Sequence, residues 1–170
     1  MEAELIAAII FIICLIIFSG FFSVSETSLT ATSASNMHKL SKEGDSRARL
    51  VEKLISDPES LIGAILLGNN LVNILASAIA TYIFIELFGE IGVVYATVAM
   101  TALVLIFAEV MPKTYAISNP ERFALKIAPA INLFVIIFAP IVKVIQIISR
   151  QTLRIMGVKA GKNQKVLSPQ

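Results

Sequence analysis

Apolar residues in this chain are gathered into long runs, and the charged residues fall mainly between those runs. Three of the runs reach the length of about 20 residues that a helix needs to cross a bilayer. They lie at about residues 5–26, 60–85 and 91–112. The pattern predicts an all-α membrane protein with three transmembrane helices.

The distribution of Lys and Arg predicts the orientation, because positively charged connections stay on the cytoplasmic side. No Lys or Arg precedes Lys39, the connection from Leu29 to Glu59 holds five, and the short turn around Gly89 holds none. We therefore expect the N-terminus outside and the C-terminus in the cytoplasm of a multi-pass protein of the cell (inner) membrane. The first connection is expected to form two short cytoplasmic helices that break at Gly44-Asp45.

A fourth apolar run, Ile127 to Val142, is shorter and contains Pro129 and Pro140. Prolines inside a helix remove backbone hydrogen bonds. A fourth crossing would also place the basic residues from Lys143 onward outside, against the charge bias. We expect a proline-bent juxtamembrane belt helix at about residues 120–150; the alternative is an ordinary fourth span. Residues 1–156 are predicted to form one transmembrane domain, and residues 157–170 a polar linker or tail.

Composition agrees with a chain that is solvated by lipid. Hydrophobic residues make up 56% and charged residues 15% of it, whereas soluble domains have about 45–50% and about 25%. One cysteine (Cys14) and one histidine (His38) exclude a disulfide framework within the chain and a Cys/His zinc site. They also leave no Ser/His or Cys/His constellation, so no enzyme is predicted. The net charge of +2 is too small to indicate a nucleic-acid partner.

The few polar side chains inside the three spans are predicted to lie at a common depth, between the inner surface and the midplane. They are Ser19 and Ser23 in the first span, Asn69 and Asn73 in the second, and Glu109 in the third. Pro112 has no N–H, so we expect it to free the carbonyl of Ala108 as a further oxygen. All of these donors are oxygen atoms, which hard cations prefer. The cluster therefore predicts a cation site in the membrane.

Each of these residues also has a simpler interpretation. Glu109 could form an ion pair with Lys113, four residues later. The serines could donate to carbonyls of their own helix, and the asparagines could join neighbouring helices. The pattern does not decide whether Ser23 or Ser25 faces the site.

The same segments resemble a known family. They read Ser19-Gly20-Phe21-Phe22-Ser23-Val24-Ser25-Glu26-Thr27, Leu67-Gly68-Asn69-Asn70-Leu71-Val72-Asn73 and Ala108-Glu109-Val110-Met111-Pro112-Lys113. In this order they resemble the transmembrane domain of the CNNM/CorC (CorB) proteins, a family associated with magnesium transport and export. The resemblance covers roughly Leu5 to Ile155.

The resemblance implies a homodimer in membrane lipid, with a dehydrated Mg²⁺ in an inward-facing cavity of each subunit. The metal ligands it implies are Ser19, Ser23, Gly68, Asn69, Asn73 and Glu109. It further implies magnesium export in exchange for Na⁺, with ATP bound only by a cytoplasmic CBS module beyond this sequence. The alternative is a dimeric membrane anchor for that cytoplasmic domain, without transport of its own.

Overall fold

The computed structural model describes residues 2–156, which are almost entirely helical and contain no strand. The helices are α1 (Glu2–Ala31), α2 (Ala34–Lys42), α3 (Ser46–Ile55), α4 (Pro58–Phe88), α5 (Gly92–Leu103), α6 (Met111–Ser118) and α7 (Pro120–Ile155). A 3-10 turn, Gly89–Ile91, joins α4 to α5, and a π-helical segment, Val104–Val110, joins α5 to α6. The predicted linker at 157–170 lies outside the described residues.

Three helical stretches in residues 2–156 are long and apolar enough to cross a membrane. They are Ala3–Ala31, Pro58–Ser118 and Pro120–Ile155. The middle stretch has 61 residues and reverses at Gly89, whose φ of 69° lies in the left-handed region that favours glycine. It therefore contains both the second predicted span, in α4, and the third, in α5 through α6. The all-α prediction is confirmed, although α1 and α4 continue beyond the predicted ends.

Local capping explains where the helices around the first connection begin. Asp57 accepts a hydrogen bond from the Ser60 N–H at 3.2 Å, and Pro58 occupies the first turn of α4. Asp45 accepts from the Arg47 N–H at 2.8 Å at the start of α3. Gly44, with φ of 100°, separates α2 from α3 at the predicted break.

The hydrophobic core has two parts along the α1–α4 pair. At the end of the bundle where α1 stops and α4 starts, Phe22 and Ile65 pack with Met37, Val51 and Ile131 from α2, α3 and α7. Toward the other end, a second cluster joins α1 and α4 to α5. Its buried members are Ile12, Leu15, Ala76, Ala80, Ile83 and Met100. Many large apolar side chains remain exposed around both parts, as expected of a lipid-facing surface.

Helix α7 contacts the same end of the bundle near both of its termini. At its start, Glu121 Oε1 accepts a hydrogen bond from Asn36 Nδ2 of α2 at 2.8 Å. Near its end, Arg150 Nη2 lies 2.6 Å from Glu59 Oε2 in the first turn of α4. Both contacts are therefore made with residues that border the connection between α1 and α4.

The histidine of this chain belongs to the surface of the two short helices. His38 Nδ1 lies 2.6 Å from Glu52 Oε1, and both side chains are partly exposed. The hydrogen bond from His38 lowers the pKa of the Glu52 carboxyl. The pair consequently stabilises the packing of α2 on α3 above the ordinary Glu pKa, and this contribution is lost as pH falls through the lowered value.

Candidate cation site

The polar side chains of α1 and α4 meet inside the apolar bundle. Ser19 Oγ donates a hydrogen bond of 2.6 Å to Asn69 Oδ1, and Asn73 Nδ2 lies 3.4 Å from the same oxygen. Ser19 is fully buried and Asn69 is 7% exposed. Asn69 Oδ1 is thus the common acceptor that joins three of the predicted site residues.

Ser23 and Glu109 extend this group to the third span. Ser23 Oγ, which is fully buried, donates to the main-chain carbonyl of Glu109 at 3.4 Å. The Glu109 side chain is half-buried and lines an open cavity of about 670 Å³ together with Asn73. The structure therefore brings Ser19, Ser23, Asn69, Asn73 and the Glu109 segment together from α1, α4 and the π-helical segment.

Two oxygen-bearing groups at this cavity have no protein partner. Asn73 Oδ1 is buried without a hydrogen-bond partner. Within residues 2–156, the Glu109 carboxylate also makes no hydrogen bond or ion pair. An unsatisfied polar group in an apolar environment is costly, and both groups are oxygen ligands of the kind that a hard cation prefers.

One of the simpler interpretations of the sequence required an ion pair between Glu109 and Lys113. In the structure Lys113 pairs with another carboxylate. Its Nζ lies 3.3 Å from Glu26 Oε2 on α1. The packing of α6 on α1 brings Lys113 to Glu26, while Glu109 lies on the π-helical segment that precedes α6. Glu26 therefore belongs to an ion pair beside the site and not to the donor set.

The π-helical segment was not predicted from the sequence, and it adds a second carbonyl that Pro112 leaves without a donor. The Met111 N–H donates to the Ile106 carbonyl, five residues earlier. Because Pro112 has no N–H, it cannot donate to the Phe107 carbonyl in this register, just as it cannot donate to the predicted Ala108 carbonyl in an α-helical register. The Phe107 carbonyl faces Gly20 of α1. The sequence feature that could have indicated an irregular helix is Pro112, three residues after Glu109.

Ser25 and Asn70, which lie next to predicted site residues, point elsewhere. Ser25 Oγ donates to the Phe21 carbonyl of its own helix at 2.7 Å. Asn70 is exposed on the outer surface of α4. Of Ser23 and Ser25, between which the sequence did not decide, Ser23 is the one that contacts another site residue.

Gly68 lies one residue before Asn69 on α4, against the Phe22 ring of α1. A Cβ placed on Gly68 would lie 2.5 Å from Cζ of Phe22. Phe22 is 1% exposed, and its ring packs on Phe134 of α7 with the ring centroids 5.0 Å apart. The absence of a side chain at Gly68 therefore allows α1 and α4 to approach closely enough for Ser19 to reach Asn69.

Gly68→Ala is expected to lower the stability of the chain by about 1–3 kcal/mol, because the added methyl group overpacks the buried Phe22 ring. The matched control is Gly20→Ala, where a new Cβ would make only contacts of 3.4 Å or more. That variant should be neutral or up to about 1 kcal/mol more stable, since Ala favours helix over Gly. Thermal unfolding in detergent compares them, and equal midpoints would contradict the close approach.

Within residues 2–156 no group of three or more His, Cys, Asp or Glu side chains is placed to hold a metal. The candidate site has a single carboxylate, Glu109, and its other donors are hydroxyl, amide and carbonyl oxygens. Such a set supplies one negative charge and several dipoles. It suits a hard cation, since soft metals require Cys, Met or His.

Long apolar helices with oxygen donors gathered between them define this chain as a multi-pass helical membrane protein. The CNNM family, described as the Cyclin M transmembrane N-terminal domain, matches residues 9–170. The chain belongs to this family, which confirms the resemblance seen in its polar motifs. It is a membrane transport family and not a known family of enzymes.

The relatives include proteins from several bacteria. The UPF0053 inner membrane protein YfjD of Escherichia coli is 41% identical over 141 residues, which are 83% of this chain and 33% of that protein. A UPF0053 protein of Haemophilus influenzae is 39% identical over 160 residues, 94% of this chain and 38% of that protein. A polyamine export protein of the same organism is 28% identical over 181 residues, 99% of this chain and 42% of that protein. The chain thus spans less than half the length of these relatives.

Proposed function

We propose that this chain carries Mg²⁺ across the membrane and exports it, binding the ion among Ser19, Ser23, Gly68, Asn69, Asn73 and Glu109. The observation that carries the proposal is the convergence of oxygen donors from three segments in an apolar bundle. Two of these donor groups, Asn73 Oδ1 and the Glu109 carboxylate, have no partner among residues 2–156. Membership of a transport family supports the same class of function.

The donor oxygens together replace the water molecules that Mg²⁺ must lose when it binds. Mg²⁺ dehydrates reluctantly, so a site that strips it must offer several close oxygens and negative charge. Glu109 supplies the charge, and the serine hydroxyls and asparagine amides supply dipoles. Asn69 Oδ1 now accepts from Ser19 and Asn73; when the ion binds, the Ser19 hydroxyl rotates away and both oxygens turn to the metal. The same oxygens suit Na⁺, which we propose as the exchanged ion.

The contacts of α7 support the predicted belt helix. Both ends of α7 touch the end of the bundle that carries the basic connection between α1 and α4. A helix that crossed the bilayer would have its ends on opposite sides, so α7 is proposed to lie along the cytoplasmic surface as a belt. Asn69 then lies about 16 Å of helix beyond Pro58, which is near the middle of the bilayer.

Proteoliposomes test the proposal directly. The purified chain is reconstituted with a Mg²⁺-sensitive dye inside the vesicles, and Mg²⁺ is added outside with and without a Na⁺ gradient. We expect Mg²⁺ entry that Na⁺ accelerates, together with saturable binding by isothermal titration and a dimer by mass measurement in detergent. A dimer without flux or binding would indicate the membrane anchor instead.

A linear polyamine is the second candidate substrate. Two relatives, at 28% and 25% identity, are named polyamine export proteins. The cavity that Glu109 lines continues as far as Thr97 of α5, which is about 18 Å along the helix and long enough for an extended cationic amine. Spermidine added to the same vesicles distinguishes the two substrates. Competition with Mg²⁺ together with uptake of labelled spermidine would favour the polyamine.

A further inference from the structure

The cavity beside the cation site is a groove between α4 and α5 with polar side chains on both walls. Its oxygen-bearing residues are Asn73, Ser77, Thr81, Thr97, Thr101 and Glu109, and we call it the outer groove. The three residues on α4 follow each other at intervals of four, which places them on one face of the helix. Ser and Thr are frequent where membrane helices pack closely, so the hydrogen bonds of these hydroxyls decide which of them are available to a ligand.

Two hydroxyl groups in the outer groove are free for a ligand. Thr81 Oγ1 donates to the Ser77 carbonyl, and Thr97 Oγ1 to the Val93 carbonyl, each at 2.8 Å. Ser77 Oγ and Thr101 Oγ1, by contrast, make no hydrogen bond within residues 2–156. Hydroxyls in apolar surroundings normally find a carbonyl of their own helix, so these two stand apart from the others.

The outer groove is continuous with the cation site. Asn73 and Glu109 line the groove and also belong to the site, and the orphaned Asn73 Oδ1 lies where the two meet. From Asn73 the groove follows α4 for about 12 Å to Thr81, toward the Gly89 turn. On the opposite side of the site, Ser19 and Ser23 of α1 are fully buried. The groove therefore leads away from the end of the bundle that carries α2 and α3.

We propose that the outer groove is the route by which an ion released from the cation site reaches the outer face, with Ser77 and Thr101 providing oxygen ligands along it. This inference rests on the proposed function. As the ion leaves Glu109 and Asn73, the free hydroxyls replace those ligands until water completes its shell. Because both hydroxyls are neutral, they hold the ion weakly enough to let it go.

Cysteine accessibility tests whether the groove opens to the outside. In a Cys14→Ala background, Ser77→Cys and Thr101→Cys are treated from the outer face with a membrane-impermeant cationic thiol reagent. The control is Val98→Cys, which is exposed on α5 but does not line the groove. We expect the two groove positions to react at least an order of magnitude faster than Val98→Cys, and Mg²⁺ to slow that reaction.

Isosteric substitution tests whether the hydroxyl takes part in transport. Thr101→Val should slow Mg²⁺ flux several-fold and leave equilibrium binding unchanged, because the change lies outside the cation site. Thr101→Ser should restore the flux. Slow labelling of both groove cysteines, together with normal flux in Thr101→Val, would overturn the route and indicate that lipid or a second copy covers the groove. Absence of Mg²⁺ flux in the Cys14→Ala chain would overturn the proposed function itself.

Discussion

Glu109→Gln is expected to abolish measurable Mg²⁺ binding and transport. Glu109 is the one carboxylate at the candidate site within residues 2–156, and the substitution removes its charge with little change in shape. A single charge at about 4 Å from the ion is worth about 4 kcal/mol at an effective dielectric constant near 20, and a divalent ion gains more. The affinity should therefore fall by about a thousandfold or more.

Glu26→Gln is the matched control for this prediction. Glu26 carries the same charge and lies near the site, but its carboxylate pairs with Lys113 at 3.3 Å. We expect the Mg²⁺ affinity of the Glu26→Gln variant to stay within a few-fold of that of the unchanged chain. The variant should lose a small amount of stability, because the ion pair with Lys113 is lost. Isothermal titration of both variants makes the comparison, and size-exclusion chromatography verifies that each variant keeps the assembly state of the unchanged chain. Unchanged binding in a well-folded Glu109→Gln chain would remove Glu109 from the site.

Asn69→Ala is expected to weaken both the fold and the site. Asn69 Oδ1 accepts from Ser19 and from Asn73 in the buried space between α1 and α4. Its loss leaves the fully buried Ser19 hydroxyl without an acceptor, at about 1–3 kcal/mol, and also removes the acceptor of the part-buried Asn73 Nδ2. It also removes a ligand oxygen from the proposed Mg²⁺ site, so binding should fall along with the unfolding temperature.

The neighbouring residue provides the control, because Asn70→Ala makes the same chemical change on the exposed face of α4. That variant should unfold and bind Mg²⁺ as the original chain does. Thermal unfolding in detergent and titration are measured on both. Identical behaviour of the two alanine variants would show that Asn69 neither joins the helices nor binds the ion.

Much of the site could be predicted because helical periodicity is a local property. Ser19 and Ser23, or Asn69 and Asn73, share a face in any α-helix with 3.6 residues per turn. What local spacing could not predict is the rotation of each helix against its neighbours. That rotation directs Ser23 toward the Glu109 segment and leaves Ser25 bonded to its own helix at 2.7 Å.

The sequence by itself determined the apolar helices, the reversal at Gly89 and the scarce oxygen donors, because these depend on chain composition and on backbone geometry within a few residues. The tertiary structure decided the rest. The contact of Gly68 with Phe22 sets how closely α1 and α4 approach. The packing of α6 on α1 pairs Lys113 with Glu26, and not with Glu109 four residues before it. The approach of the helices and the choice of ion pair depend on contacts between side chains that are distant in the sequence. Each helix alone could take several rotations against its neighbours, and close packing of the side chains selects one of them.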